Sequence, residues 1–116
     1  MKLTSEDRGQ MQVMTVRGEL TSEHCDRLRY AVLQRMEKGA CDYILEASEL
    51  ESIDSSGLET LLWLQEVCAE QLRQVRIAGA HENLELILKM TRLDTRLPCD
   101  SDVQEAEAGM KSGGWS

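Results

Sequence analysis

The sequence is poor in aromatic residues and in proline, and it has no long apolar run. It contains no phenylalanine and only two tryptophans and two tyrosines. Aromatic side chains on which bases or sugars could stack are therefore few. The longest mostly apolar stretch, Leu58–Leu64, is broken by Glu59 and Thr60. It is far shorter than the roughly 20 residues of a membrane-spanning helix, and no apolar signal-peptide core follows Met1. We therefore expect a cytoplasmic protein without membrane insertion.

Positive charge is also scarce, because 13 lysines and arginines stand against 21 aspartates and glutamates, a net charge of −8. An acidic surface repels phosphate backbones, so nucleic-acid binding is not expected. The four cysteines form no Cys-x-x-Cys pair and have no histidine at ligand spacing. They are predicted to be reduced structural thiols, with no metal and no cofactor.

The length of 116 residues and the hydrophobic fraction of 41% fit one globular domain. We assign residues 1–110 to this domain and residues 111–116, which contain two adjacent glycines, to a flexible C-terminal tail.

Apolar periodicity predicts strands that alternate with helices. A β-rich run at residues 12–17, preceded by a shorter run near Leu3, predicts an opening hairpin. Residues 25–36 carry an apolar residue every three or four positions, which predicts an amphipathic helix capped by Thr21 or Ser22.

The second half of the chain repeats this alternation. Tyr43-Ile44-Leu45 predicts a strand covered on both faces, followed by a polar connection at residues 46–53. The elements predicted after it are a helix from Ser56, a strand at 75–78, a helix from Glu82, an edge strand near Arg96–Leu97, and a last helix from Ser101 to Gly109. The pattern predicts a single α/β domain with a mixed sheet of four or five strands and packed helices.

The segment 54–57, Asp-Ser-Ser-Gly, falls between a predicted strand and a predicted helix, where α/β sheets commonly meet ligands and partners. Ser56 and Glu59 match a capping box, so Ser56 is the predicted N-cap. Two hydroxyls and a carboxylate before a glycine also suit an exposed, modifiable helix start. Neither His24 nor His81 has a partner that would make a serine nucleophilic. A binding module without turnover is favoured over an enzyme or nucleotide-binding protein.

This segment resembles the STAS family, the anti-sigma factor antagonist domain. The resemblance rests on Gly18-Glu19-Leu20 before one helix and on Ile53-Asp54-Ser55-Ser56-Gly57-Leu58 at the start of another, and it covers about residues 10–108. In antagonist members, the serine after the aspartate is phosphorylated by a partner kinase that is also the anti-sigma factor. The unmodified antagonist binds that kinase and frees the sigma factor.

The resemblance implies a STAS-like fold, phosphorylation at Ser55, and binding to an anti-sigma factor that is a serine kinase, with a phosphatase as a further partner. Asp54 would orient the loop, and Gly57 would permit close backbone approach by the partner. The predicted partner-binding residues are Asp54, Ser55, Ser56, Gly57, Leu58, Thr21 and Trp63.

Two features leave alternatives open. Thr21 stands where antagonists often carry aspartate after Gly-Glu-Leu, and the family also contains chemosensory modules, regulatory subunits of lipid-transport ATPases and tails of anion transporters. The alternative function is therefore a STAS scaffold or regulatory subunit of a chemosensory or lipid-transport ATPase complex, without phosphorylation. Trp63 and Val67 fall opposite the Leu61 stripe of their helix. Either a loop or the C-terminal helix covers them, or they form a partner-binding patch beside Ser55.

Overall fold

A computed structural model describes residues 1–113 of the chain, with side chains described up to Met110. Six strands and four helices lie along these residues. The strands are β1 (Lys2–Asp7), β2 (Met11–Leu20), β3 (Asp42–Glu46), β4 (Leu50–Ile53), β5 (Val75–Ala78) and β6 (Cys99–Asp100). The helices are α1 (Cys25–Met36), α2 (Ser55–Glu70), α3 (Glu82–Met90) and α4 (Val103–Gly113). The predicted mixed α/β fold is confirmed.

The sheet is organised around its longest strand, β2. This strand pairs antiparallel with β1, as the predicted hairpin, and parallel with both β3 and β4. The first half of β2 lies beside β3, with Val13 opposite Ile44, and its end lies beside β4, with Leu20 opposite Ile53. Beyond β3, the parallel strands β5 and β6 complete the sheet. The carboxyl ends of β2 and β4 are therefore neighbours.

Apolar side chains fill both faces of the sheet. On one face, α1, α2 and α3 pack to form the main core. On the other face, α4 contributes Ala106 and Met110 to a smaller cluster. Tyr43 and Leu45 lie in the main core and Ile44 lies in the smaller cluster, which confirms the prediction of a strand covered on both faces. Burial raises the pKa of the Tyr43 hydroxyl far above its usual value.

Two strands differ from the prediction. The connection at 46–53 contains β4, which raises the number of strands in the described residues to six. Its sequence pattern is weak because only Leu50 is fully buried, while Glu51 and Ser52 are exposed. The last strand lies at Cys99–Asp100 rather than at residues 96–97, because Leu97 is drawn into the core and pairing with β5 begins at the carbonyl of Pro98.

The start of α1 also differs from the prediction. His24 is the N-cap and makes no side-chain capping bond, so the prediction of Thr21 or Ser22 as the cap is wrong. Residues 21–24 form a turn in which the amide of His24 donates to the carbonyl of Thr21 at 2.8 Å. The third helix begins at Glu82, as predicted.

The last helix begins and ends later than predicted. The carboxylate of Asp102, not Ser101, accepts the amide of Glu105 at 2.8 Å. Gly109 does not end the helix, which continues to Gly113. A Cβ at position 109 would lie 2.9 Å from the guanidinium carbon of Arg76, so the glycine lets α4 cross this side chain closely. Residues 114–116 of the predicted tail lie outside the described residues.

The cysteines are four free thiols, of which three are buried and Cys99 is half-buried. Burial raises the pKa of the Cys68 thiol to about 12 and that of Cys99 to about 11, so neither is a thiolate near neutral pH. Within residues 1–113, no helix has both the length and the apolar character needed to cross a bilayer.

We predict that Leu72→Gly stabilises the protein. Leu72 follows the last turn of α2 in the left-handed conformation, with φ of 59°, and its side chain is 78% exposed. The amide of Arg73 donates to the carbonyl of Cys68 at 2.8 Å, which closes the C-terminal cap around this residue. Because glycine adopts this conformation without steric cost, we expect the free energy of unfolding in urea to rise by about 0.5–1 kcal/mol.

Leu72→Ala is the matched control, since it removes the exposed apolar side chain but keeps the Cβ. We expect no gain from it. An equal gain in both variants would show that backbone strain is not the cause.

Candidate functional site

The predicted site lies where the ends of β2 and β4 meet the start of α2. Leu20 and Ile53 are opposite each other as the last residues of these parallel strands. The chain leaves the sheet through Thr21 on one side and through Asp54 on the other. Strand pairing therefore brings together two segments that are about thirty positions apart in the sequence, as the resemblance implies.

The carboxylate of Asp54 joins these two segments. One oxygen accepts the amide of Gly57 at 2.9 Å, and the other accepts the amide of Ser22 at 3.0 Å. The amide of Gly57, with further contributions from those of Ser22 and Ser56, lowers the pKa of the Asp54 carboxyl below its usual value, although desolvation opposes the change. Asp54 is thus an ionised N-cap that also fixes the loop before α1.

This geometry corrects the role predicted for Ser56. The capping residue of α2 is Asp54, and the prediction of a Ser56 cap is wrong. The side chain of Ser56 makes no hydrogen bond within the described part of the chain, while its carbonyl accepts the hydroxyl of Thr60 at 2.8 Å. Both serines stand inside the first turn, after the capping residue, and the amide of Gly57 is the one that the side chain of Asp54 caps.

Gly57 is buried and serves the domain's own packing, while its predicted role in close approach by a partner stays a prediction. A Cβ at this position would lie 2.3 Å from the carbonyl oxygen of Leu20 and 2.6 Å from the side chain of Ile53. Neither atom belongs to the free end of a flexible chain. The first turn of α2 can rest on the end of β2 only because residue 57 has no side chain.

Ser55 remains as the outward residue of the helix start. It is the first residue of α2, its side chain is exposed, and its hydroxyl makes no hydrogen bond with the described residues. Leu58, one turn further, is half-buried against the main core. The site therefore presents a free hydroxyl on a rigid, capped helix terminus.

Thr21 and Trp63 border this surface in different ways. Thr21 is half-buried beside Asp54's partner Ser22, and its hydroxyl lies 3.3 Å from the Nδ1 atom of His24. Trp63 lies two turns along α2 and packs against α1, with the guanidinium of Arg29 5.8 Å from its ring centre. Helix α1, which the sequence did not indicate as a neighbour of Trp63, therefore covers part of it. The role of Trp63 in partner binding stays a prediction.

The sequence did not indicate that Ser22 and Leu20 take part in the site. Both act through backbone atoms, Ser22 through its amide and Leu20 through a carbonyl that receives the amide of Asp54 at 3.4 Å. The position of the Gly-Glu-Leu string at the end of a strand was the only available signal, because amide contacts leave no trace in side-chain patterns.

Neither histidine is placed to activate Ser55. The Nε2 atom of His81 lies 2.8 Å from the carbonyl of Leu50, and its Nδ1 accepts the amide of Leu84. His24 faces Thr21. In the part of the chain with described side chains, no group of three acidic, histidine or cysteine residues is arranged to hold a metal ion. The arrangement suits recognition or modification of a hydroxyl.

Comparisons with known proteins agree with this architecture. A family model described as "Mlab, STAS domain" matches residues 3–99, so the chain belongs to the STAS domain family. A search of curated proteins finds no significant match.

Solved structures share the fold at low sequence identity. The candidate anti-sigma factor antagonist TM1081 of Thermotoga maritima has a TM-score of 0.87 at 20% identity, covering 94% of each chain. The Bacillus cell fate determinant SpoIIAA in its phosphorylated form has a TM-score of 0.73 at 17% identity, covering 96% of this chain and 99% of its own. A sulfate transporter family protein from Wolinella succinogenes has a TM-score of 0.77 at 22% identity, covering 89% of this chain and 86% of its own.

We predict that Asp54→Asn lowers the melting temperature at pH 7 by several degrees, because a neutral amide replaces the ionised acceptor of two backbone amides. The pKa of Asp54 is lower in the folded than in the unfolded protein. Its stabilisation is therefore complete above the unfolded-state value of about 3.9 and is lost as the pH falls through the folded-state pKa. The difference in melting temperature should shrink below about pH 4.

Asp94→Asn is the control, since this exposed carboxylate accepts no hydrogen bond from the described residues. If the melting temperature of Asp54→Asn stays below that of the wild type by the same amount from neutral to acid pH, the charge of Asp54 is not the source of the stabilisation.

We predict that Gly57→Ala destabilises the protein by about 1–3 kcal/mol, because its Cβ forces α2 away from the end of β2. Ser56→Ala, the neighbouring control, should change the free energy of unfolding by less than about 0.5 kcal/mol. Urea denaturation of both variants measures the difference. Equal and small effects would show that the close contact with Leu20 is not needed.

Proposed function

We propose that this chain is a cytoplasmic partner switch of the anti-sigma factor antagonist type, with no catalytic turnover of its own. In its unmodified state it binds an anti-sigma factor that is also a serine kinase. Phosphorylation of Ser55 by that kinase releases the partner, and a phosphatase restores binding.

The observation that carries this proposal is the free Ser55 hydroxyl on a helix start that is already capped by Asp54. Because Ser55 makes no hydrogen bond with the described residues, a phosphate there breaks no internal contact. The positive end of the helix dipole favours the added charge by about 0.3–1 kcal/mol. The modified domain should therefore keep its fold, and the modification should act on the docking surface.

Charge gives the direction of the switch. A phosphate adds a charge of about −1.5 to −2 beside Asp54 and one turn from Glu59. A docked partner would have to desolvate the new dianion or place its own acidic groups against it, at a cost of several kcal/mol. Since about 1.4 kcal/mol is tenfold in affinity, release by about a hundredfold or more is expected.

A second candidate follows from Thr21, which lies beside Asp54 without the carboxylate that antagonists often carry there. In this case the same surface would bind a chemosensory or lipid-transport ATPase complex without phosphorylation of Ser55. The two candidates share a docking surface but differ in the partner and in the response to a charge at position 55.

We predict that Ser55→Asp abolishes capture of the partner, while Ser55→Ala still captures it but cannot be phosphorylated. The assay uses the immobilised protein as bait in an extract of the source cells, with quantitative mass spectrometry of the bound proteins. The captured protein is then purified and incubated with the wild type and ATP, and the phosphate is mapped. Far-UV circular dichroism and melting should be unchanged in both variants.

Ser5→Asp is the matched control, because Ser5 is equally exposed but lies in β1, away from the site. It should bind like the wild type. Capture of a serine kinase that Ser55→Asp loses supports the proposal. Phosphate on another residue, or full partner binding by Ser55→Asp, would overturn the proposal. If Ser55→Asp binds fully and the captured protein belongs to a transport or chemosensory complex, the result supports the other candidate.

A further inference from the structure

One long edge of the sheet is unpaired. Within residues 1–113, the six-residue strand β1 pairs with β2 alone and forms one end of the strand order. The other end, β6, has only two residues and follows Pro98, and its Asp100 is held by Arg76 at 2.7 Å. Of these two end strands, β1 is therefore the one that offers a continuous row of backbone donors and acceptors.

The register shows which backbone groups point outwards. The amide of Arg8 donates to the carbonyl of Met11 at 2.7 Å, so residue 8 faces β2. Antiparallel strands alternate between hydrogen-bonded and non-hydrogen-bonded residue pairs. The backbone amides and carbonyls of the other even-numbered residues of β1 are therefore also directed to β2. The amides and carbonyls of Leu3, Ser5 and Asp7 are directed to the free edge.

The charges of β1 discriminate between possible strand partners. Lys2, Thr4 and Glu6 lie on one face of the strand, on the side opposite the half-buried Leu3, and Glu6 also forms an ion pair with Arg8 of its own chain. In a parallel in-register pairing with a second copy, Lys2 would face Lys2 and Glu6 would face Glu6. In an antiparallel pairing centred on Thr4, each Lys2 faces a Glu6 of the other copy, and the two threonines face each other.

The backbone favours the same register. Centring on Thr4 places Leu3 opposite Ser5 of the second copy, and both residues have outward amides and carbonyls that form a hydrogen-bonded pair. Lys2 and Glu6 then occupy a non-bonded pair, in which side chains approach most closely. Backbone geometry thus permits this arrangement, and the side-chain charges favour it.

We propose that β1 pairs antiparallel with β1 of a second copy, about a two-fold axis at Thr4, and joins two domains into one continuous sheet. The interface is isologous and closed, so it yields a dimer and not a filament. Ser55 follows β4 in the sequence and is not part of β1, so the shared strand edge contains neither Ser55 residue. This inference does not depend on the proposed function.

Sedimentation equilibrium from about 10 µM to about 1 mM measures the association, since an interface made by one strand edge should be weak. Lys2→Glu alone and Glu6→Lys alone each place like charges opposite each other twice. Each should weaken dimerisation about tenfold or more. The double variant, Lys2→Glu with Glu6→Lys, exchanges the charges and should restore the affinity to within about threefold.

Ser5→Pro provides an independent test, because it removes an outward amide and leaves the bonds to β2 intact. It should remove half of the hydrogen bonds between copies and abolish the dimer, with unchanged circular dichroism. A wild type that stays monomeric at the highest concentration would overturn the proposal. Failure of the double variant to recover dimerisation would also overturn it. So would the finding that the β1 edge pairs only with a peptide of another protein.

Discussion

The contact on which the site depends is the one between the Asp54 carboxylate and two backbone amides from different parts of the chain. One amide belongs to the first turn of α2, and the other belongs to Ser22 in the loop that leaves β2. An ionised carboxylate that accepts two amides satisfies donors that both segments would otherwise leave to water. Helix capping and loop placement are therefore one interaction, and neither segment can move without weakening the other.

This contact requires the rest of the fold to bring the segments together. The pairing of β4 with the end of β2 aligns Leu20 with Ile53, and the absence of a side chain at Gly57 lets α2 approach the strand end. The main core then fixes α2 through its buried face, while Ser55 stays outside. The fixed helix start and the free Ser55 hydroxyl have the same origin, because Asp54 is the capping residue and Ser55 follows it as the first residue of the helix.

The sequence predicted the elements with strong apolar periodicity and the position of the site between a strand and a helix. It did not predict β4, since a four-residue strand with two exposed polar residues has no clear alternation. It assigned the cap to Ser56 because Ser56 and Glu59 match a capping box, whereas the structure places the cap two residues earlier, where Asp54 accepts the amide of Gly57. It placed a helix end at Gly109 for a similar reason: a glycine that permits close packing on Arg76 has the same local signature as a terminator.

The use of a backbone amide at Ser22 has a consequence for how such a protein can diverge. Asp54 requires only an N–H at this position, so any residue except proline preserves the scaffold of the site. The exposed side chain at 22 is thus free to be substituted while the helix start keeps its shape. Under the proposed function, partner preference can change through this position, and a duplicated copy can acquire a new partner without rebuilding the domain that presents Ser55.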